Sequence, residues 1–306
     1  MNVPPLTLSQ VAKWVSGQLH GADATVDIVE TDSRCLSPGA LFVALRGPRF
    51  DGHDYAEQAA ASGAIGILCN RSLDTTTSQI IVPDTQKALE QLATAWRSQL
   101  PGRMVGITGS NGKTTTKELV AAVLRHAGTT VATQGNFNNA IGLPLTLLAA
   151  KNQDFLVIEM GANHPGEIAS LSAIARPDVA LITNAGRAHL EGFGSLEGVA
   201  KAKGELLSNL VPSGVCVLNA EDKWLPLWQK LAGTRRVLTF GRLPTADISI
   251  DTIKTPLRLS VNGFHSRVRV CTPRDKLDLD LALAGDHNLL NVLATVAVAE
   301  ALELNH

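Results

Sequence analysis

The segment VGITGSNGKTTTKELV contains the residue types that can grip a polyphosphate. An apolar run leads through Ile107 and Thr108 into Gly109, Ser110, Asn111 and Gly112, and a helical pattern starts at Lys113, Thr114 and Thr115. Glycines let backbone N–H groups close around phosphate oxygens, and a helix N-terminus adds unpaired donors and partial positive charge. From there Lys113 can reach β- and γ-phosphates, and the Thr114 hydroxyl can ligate Mg²⁺. The spacing departs from the generic GxxxxGK[ST] loop: the first glycine of that pattern would stand at Ile107, and here it stands at Gly109.

Other polar groups fall where strands should end, which is where open α/β sheets hold their ligands. Glu159 closes the apolar run FLVIE, well before Pro165 can open the next helix, and reads as a direct or water-mediated Mg²⁺ ligand more readily than as a helix cap. His189 lies in the loop NAGRAHLEGFGS; its type and place suit a site residue and a solvated loop side chain equally. Lys203 is four residues after Val199 and three before Leu206, on the apolar side of a helical pattern, whereas Lys201 groups with Glu197 and Glu205 on a charged face. A buried lysine is costly unless paired or neutral. Snorkelling or an ion pair would satisfy Lys203; so would reaction of its neutral amine with CO₂, giving a carbamate able to bind metal. Asn288 and Asn291, three apart at the start of the last helical pattern, share a face that could read a base edge or cap the helix.

The elements that must position these groups alternate strand and helix. Strand-like runs occur at 104–108, 155–159, 179–183 and 215–219, with helical patterns at 113–127, 166–175 and 196–210 between them. Near-continuous apolar strands separated by helices predict a mostly parallel, doubly wound sheet. After Gly241 the period changes to two, with a hairpin signal at Asn262-Gly263 and further alternation at 277–283, which predicts an antiparallel flap. A helix over about 288–302 closes the chain. Ahead of the phosphate loop, a short helix near Val11–Val15, strands at 41–45, 64–69 and 80–82, and helices at 54–62 and from Pro83-Asp84 to about Leu100 predict a small α/β unit. The expected organisation is therefore α/β in two domains, over residues 1–83 and 84–306.

The 306 residues carry 27 Lys plus Arg against 28 Asp plus Glu, and 45% are hydrophobic. There is enough apolar material to exclude disorder as the main state, and a net charge of -1 supplies no global field for nucleic acid or an anionic membrane. Cys35, Cys69, Cys216 and Cys271 are widely spaced, as isolated reduced thiols would be. The start MNVPPLTLSQ has no secretory pattern, and no run of about 18 apolar residues occurs. The cytoplasm is the expected compartment.

TGSNGKTTTKE, GNFNNAIGLPLTLL, EMGANHPGEI, TNAGRAHLEGFGS, AKAKGE and GDHNLLN, in this order, resemble the Mur ligases of peptidoglycan synthesis. TDSR…GALFVALRGPRFDGHDY resembles their UDP-sugar-binding domain, and GNFNNAIGLPLTLL and GANHPGEI look more like the D-alanyl-D-alanine-adding member than the meso-diaminopimelate- or lysine-adding one. The resemblance implies ATP-dependent activation of a carboxylate as an acyl phosphate, then attack by an amine. It implies UDP-MurNAc-tripeptide and D-Ala-D-Ala as substrates, with no nucleic-acid or membrane partner, and a monomer. By resemblance, Lys113 stabilises the transferring phosphoryl group, Thr114 and Glu159 hold one Mg²⁺ and His189 a second. Lys203 matches the position of a carbamylated lysine in related ligases, and Asn288 and Asn291 lie by adenine. Asp32, Ser33 and Arg34 resemble a segment near uridine, and Asn138 and Asn139 one near the peptide substrate. The family's C-terminal domain would follow about where this sequence ends. The resemblance therefore implies a truncated chain that binds nucleotide and ligates poorly. A meso-diaminopimelate- or lysine-adding Mur ligase, a folylpolyglutamate synthase-like ligase and a non-catalytic nucleotide-binding module are the alternative readings.

Overall fold

The computed structural model describes residues 3–260, 263–283 and 285–304. The chain divides into two compact units, one of Met1–Pro101 with Ala140–Asn152, the other of Gly102–Asn139 with Gln153–His306.

The first unit is a five-stranded sheet with helices against it. Its strands are β1 (Gln18–His20), β2 (Ile28–Glu30), β3 (Ala40–Val43), β4 (Gly66–Cys69) and β5 (Ser78–Ile81), in the order β1-β5-β4-β3-β2. β2 to β5 pair in parallel and β1 pairs antiparallel with β5. Helix α1 (Leu8–Trp14) is capped by Thr7, whose Oγ1 accepts from the Gln10 amide. Helix α2 (Ala56–Ala61) follows a 3₁₀ turn at Gly52–Tyr55, and Asp84 caps α3 (Thr85–Arg97) through the Lys87 amide.

The division falls after Pro101, later than the boundary expected near Pro83, because the apolar face of α3 is committed to this unit. Ala88, Leu89, Leu92, Ala93 and Trp96 are buried there, and α3 packs on α1 and on α5 (Gly142–Ala149), a helix the sequence reading does not contain. The Trp96 indole N–H donates to the Ala150 carbonyl at 2.9 Å, tying the inserted segment in place.

The second unit is built on a six-stranded, all-parallel sheet: β6 (Arg103–Thr108), β7 (Thr130–Ala132), β8 (Phe155–Glu159), β9 (Val179–Ile182), β10 (Val215–Asn219) and β11 (Arg236–Phe240), in the order β7-β8-β6-β9-β10-β11. Both faces are covered. Val105 and Ile107 enter the core shared with Val120, Ala121 and Leu124 of α4 (Lys113–Ala127) and with Leu293, Ala294 and Ala297 of α10 (Asp286–Ala301). Between them Gly106 faces the other way, where a Cβ would stand 3.1 Å from Leu206. On that side lie α6 (Glu167–Ala175), α7 (Leu190–Phe193) and α8 (Leu196–Gly204), which continues as a 3₁₀ turn at Glu205–Asn209. Helix α9 (Leu225–Ala232) precedes β11, and neither is in the sequence reading.

The flap is a three-stranded antiparallel sheet, β12 (Ser249–Ser260), β13 (Gly263–Cys271) and β14 (Lys276–Leu281). Its alternation divides the two faces: Val268 and Val270 join the core with α10, while Arg267 and Arg269 sit opposite Asp280 and Asp278 in register and pair with them at 2.7 and 2.8 Å. Asn262, half of the expected hairpin turn, lies outside the described residues.

Candidate active site

The loop from Gly109 to Lys113 joins β6, a central strand of the parallel sheet, to α4. Its shape is set by glycine at two points. Gly109 has φ 152°, and a Cβ there would stand 2.0 Å from Thr183 Oγ1; Gly112 has φ 79°, and a Cβ there would stand 2.6 Å from Asn291 Oδ1. The segment after β9 cradles the loop. The Ser110 amide donates to the Asn184 carbonyl (3.0 Å), Thr183 Oγ1 donates to the Asn111 carbonyl (2.7 Å), and the Asn184 side chain bonds both the amide and the carbonyl of Asn111 at 3.0 Å. Ser110 Oγ accepts from the Gly186 amide at 2.8 Å.

Those bonds fix the loop and leave the Gly112, Lys113 and Thr114 amides without an acceptor among the described residues. They sit at the positive end of a 15-residue helix, an arrangement suited to anionic oxygens. The Lys113 ammonium folds back across the loop and donates to the carbonyls of Gly109 (2.8 Å) and Ser110 (3.3 Å). Burial pulls its pKa down, against the carboxylate of Glu159, which pulls it up.

Glu159 ends β8 and is 2% exposed. Its Oε2 accepts from Thr114 Oγ1 at 3.0 Å and its Oε1 from Asn138 Nδ2 at 2.9 Å. The register Ile107–Glu159 across β6 and β8 brings the carboxylate to the phosphate loop. Hydroxyl and carboxylate are hard oxygen donors, and Mg²⁺ is commonly held by one or two such groups with substrate phosphates and water. This donor pair therefore fits Mg²⁺. Thr108, at the end of β6, turns its hydroxyl to the Met160 carbonyl at 2.8 Å, so it braces the strand ends and does not face the loop.

A cavity of about 390 Å³ adjoins the loop, lined on one side by Asn111, Gly112 and Thr115 and on another by His287, Asn288 and Asn291 of α10. Asn291 is 8% exposed; its Oδ1 accepts from Thr116 Oγ1 at 3.1 Å, and its Nδ2 donates to Asn288 Oδ1 at 3.3 Å. Gly285 is the N-cap of α10 and no side chain caps that helix, so the two asparagines line the cavity and do not serve as caps.

Lys203, on α8, is 2% exposed, and its ammonium lies 5.5 Å from the centre of the Phe193 ring. Among the described residues it makes no hydrogen bond or ion pair. Burial, and then the nearby charge of Lys113, lower its pKa to about 8, while Glu205 and Glu167 act in the opposite direction. Glu205 is itself engaged at the start of α6, accepting from the amides of Gly166 (2.8 Å) and Ala169 (3.1 Å).

Not every expected residue gathers here. His189 is exposed at the N-cap of α7 with φ 53°, and among the described residues no hydrogen bond links its ring to Lys113, Thr114 or Glu159. Asn139 is exposed. In the first unit, Asp32 and Arg34 pair with each other (Nη2 to Oδ2 at 2.6 Å), and those hydrogen bonds hold the Asp32 pKa down at about 2. Ser33 instead turns inward and donates to Gln58 at 3.1 Å.

Thr183, Asn184, Asn219, Phe240 and His287 also line this cavity and are not among the site residues singled out from the sequence. Asn184 and Asn219 stand at carboxyl ends of strands, the rule that identified Glu159, and could have been found by it.

A phosphate loop on a central parallel strand, an acidic residue on the neighbouring strand and an asparagine pair on a later helix define a Mur ligase core, and the chain belongs to the Mur ligase family. The Mur ligase middle domain profile matches residues 107–299, and the Mur ligase family catalytic domain profile matches residues 25–97. The chain is 48% identical to the UDP-N-acetylmuramoyl-tripeptide–D-alanyl-D-alanine ligase of Escherichia coli (strain K12), with 96% of this chain and 64% of that protein covered. The enzyme of the same name from Bacillus subtilis (strain 168) is 38% identical, at 95% and 63% coverage. A MurF crystal structure from Acinetobacter baumannii superposes with a TM-score of 0.90 at 33% identity, covering 100% of this chain and 67% of that one. MurF ligase from Thermotoga maritima in complex with ADP gives 0.78 at 30% identity, at 91% and 64% coverage. The chain thus spans about 64% of the length of the E. coli relative.

Proposed function

We propose that this chain carries the ATP-handling and precursor-binding part of an ADP-forming amide ligase that joins D-Ala-D-Ala to UDP-MurNAc-tripeptide in the making of peptidoglycan precursors. The observation that carries the reading is the meeting of Lys113, Thr114 and Glu159 beside the cavity lined by Asn288 and Asn291. Relatives named for this reaction, and a neighbour holding ADP, support it.

In this reading the triphosphate lies along the Gly109–Thr115 loop, its γ-phosphoryl group within reach of the Lys113 ammonium, and the base enters the cavity by Asn288 and Asn291. Mg²⁺ held by Thr114 and Glu159 would neutralise phosphate charge. A carboxylate oxygen of the tripeptide attacks the γ-phosphorus; the bond from that phosphorus to the β–γ bridging oxygen breaks, and ADP leaves. Lys113, poised over the loop in a partly desolvated site, stabilises the negative charge of that transfer. The dipeptide amine then attacks the acyl carbon, loses a proton, and the tetrahedral intermediate expels phosphate to leave an amide. The proposed substrate contacts are Asn138 and Asn139 near the peptide and Asp32, Ser33 and Arg34 near the uridine end, with His189 at a second Mg²⁺. Lys203 is proposed to be carbamylated: its neutral amine adds to CO₂, a C–N bond forms and one proton leaves. Its burial, its lowered pKa and its lack of a hydrogen-bond partner among the described residues support that assignment. The proposed compartment is the cytoplasm. Among the described residues no helix is long and apolar enough to cross a membrane.

The test is phosphate release by the complete gene product with UDP-MurNAc-tripeptide, with and without D-Ala-D-Ala. Release that requires both substrates is expected. Release independent of both would mark a plain ATPase, and absence of ATP binding would end the reading.

A further inference from the structure

A second lysine on α4 stands one turn beyond the first and has no place in the chemistry above. Lys117 is 1% exposed, among the largest fully buried side chains of the protein. It lies on the face that also buries Val120, Ala121 and Leu124, where an apolar residue would serve packing at no electrostatic cost. Its ammonium makes two contacts. One is with the carboxylate of its neighbour Glu118 at 2.7 Å; the other is a hydrogen bond of 2.6 Å to the main-chain carbonyl of Thr133.

Thr133 is the residue just past β7 and is itself 1% exposed. Its amide donates to the Val157 carbonyl at 3.0 Å, and its Oγ1 accepts from the Glu159 amide at 3.0 Å. The segment that leaves Thr133 returns at Asn138, whose side chain donates to Glu159 Oε1 and whose carbonyl accepts from the Gly161 amide at 2.8 Å. Glu159 is therefore gripped at its backbone and at one carboxylate oxygen by the two ends of one segment, and Lys117 pins the start of that segment to α4. The other carboxylate oxygen meets Thr114, also on α4.

We propose that Lys117 is a positioning residue for the Mg²⁺ site: by holding the Thr133 carbonyl it fixes Glu159 against Thr114, so that both oxygen donors are referred to one helix. This rests on the reading of Thr114 and Glu159 as the Mg²⁺ pair. Two donors that must close on a small, geometrically demanding cation gain from a shared rigid frame, and a side chain that only filled space would not need a buried ammonium to provide one.

The experiment titrates Mg²⁺ against binding of a fluorescent ATP analogue to the 306-residue chain, for wild type, K117M, T133V and T133S. Metal-free analogue binding, read in EDTA, reports the phosphate loop alone. K117M is expected to leave that value within about twofold of wild type and to raise the Mg²⁺ midpoint tenfold or more. T133V, which lacks the hydroxyl that accepts from Glu159, should raise it similarly, and T133S should restore it; these two carry the test if K117M does not fold. An unchanged Mg²⁺ midpoint in K117M and T133V overturns the proposal, as does a loss that is equal with and without metal, which would mark a purely structural role. Wild type that binds the analogue with no dependence on Mg²⁺ overturns the underlying reading of Thr114 and Glu159 instead.

Discussion

Gly112 and Asn291 touch across the second unit so closely that any side chain at the first would displace the second. The N-cap of α4 is left-handed, with φ 79°, and a Cβ there would sit 2.6 Å from the Asn291 amide oxygen. One glycine thus meets two demands, the left-handed turn that opens α4 and the close seat of a cavity-lining asparagine.

Substituting alanine there should fail on both counts. G112A is expected to cost about 1–3 kcal/mol from the left-handed backbone alone and to weaken ATP-analogue binding at least tenfold. Removing the clash in G112A/N291A should recover part of the stability and little of the binding. Denaturant unfolding and analogue titration of the three variants check this; a G112A as stable as wild type would refute the account.

Glu159 should matter by its charge more than by its shape. E159Q keeps one oxygen to accept from Asn138, and its amide N–H can donate to the Thr114 hydroxyl in place of the bond the carboxylate accepted, so the fold should hold. Substrate-dependent phosphate release by the complete gene product should fall about 100-fold or more, the usual size of losing one electrostatic partner of a transition state. A kcat within threefold of wild type would remove Glu159 from the chemistry.

Lys203 predicts a pH signature. Its folded pKa is lowered from 10.5 to about 8, so between these values the unfolded chain binds more protons than the folded one. Stability contributed by this site therefore rises as pH goes from about 8 to 10.5, and below 8 its burial is a standing cost. K203M should lack that rise and be more stable than wild type at pH 7 by on the order of 1–3 kcal/mol. Chemical denaturation at several pH values reads this out. In ¹³C-bicarbonate at pH 8 the wild type should also show a carbamate carbon signal missing from K203M; identical spectra would exclude the modification.

The inserted helix α5 should stabilise the first unit through packing. Leu147 is fully buried on α5, so L147A should cost about 2–5 kcal/mol. W96F shrinks the buried ring and strands the Ala150 carbonyl, and should cost about 1–3 kcal/mol. Thermal unfolding followed by tryptophan fluorescence, with the fluorescence change of W96F corrected for, would show whether either loss is absent.

What the residues determined alone is local. Near-continuous apolar runs placed β6, β8, β9 and β10, and periodicity placed the long helices and the flap, because each of those signals is carried within its own segment. The phosphate loop was legible for the same reason: glycine, lysine and threonine act within one turn of chain. Elements such as β7, α5 and β11 were missed: β7 and β11 mix polar with apolar residues and make no continuous apolar run, and α5 is apolar nearly all round and shows no helical stripe. The domain limit was misplaced because the partner of α3 arrives from residues 140–149, which no local pattern can announce. The tertiary structure alone brought Thr114 to Glu159, Asn291 to Gly112 and Lys117 to Thr133. Each pair joins distant stretches of chain, and its distance is set by strand order and helix packing, which depend on the whole core at once.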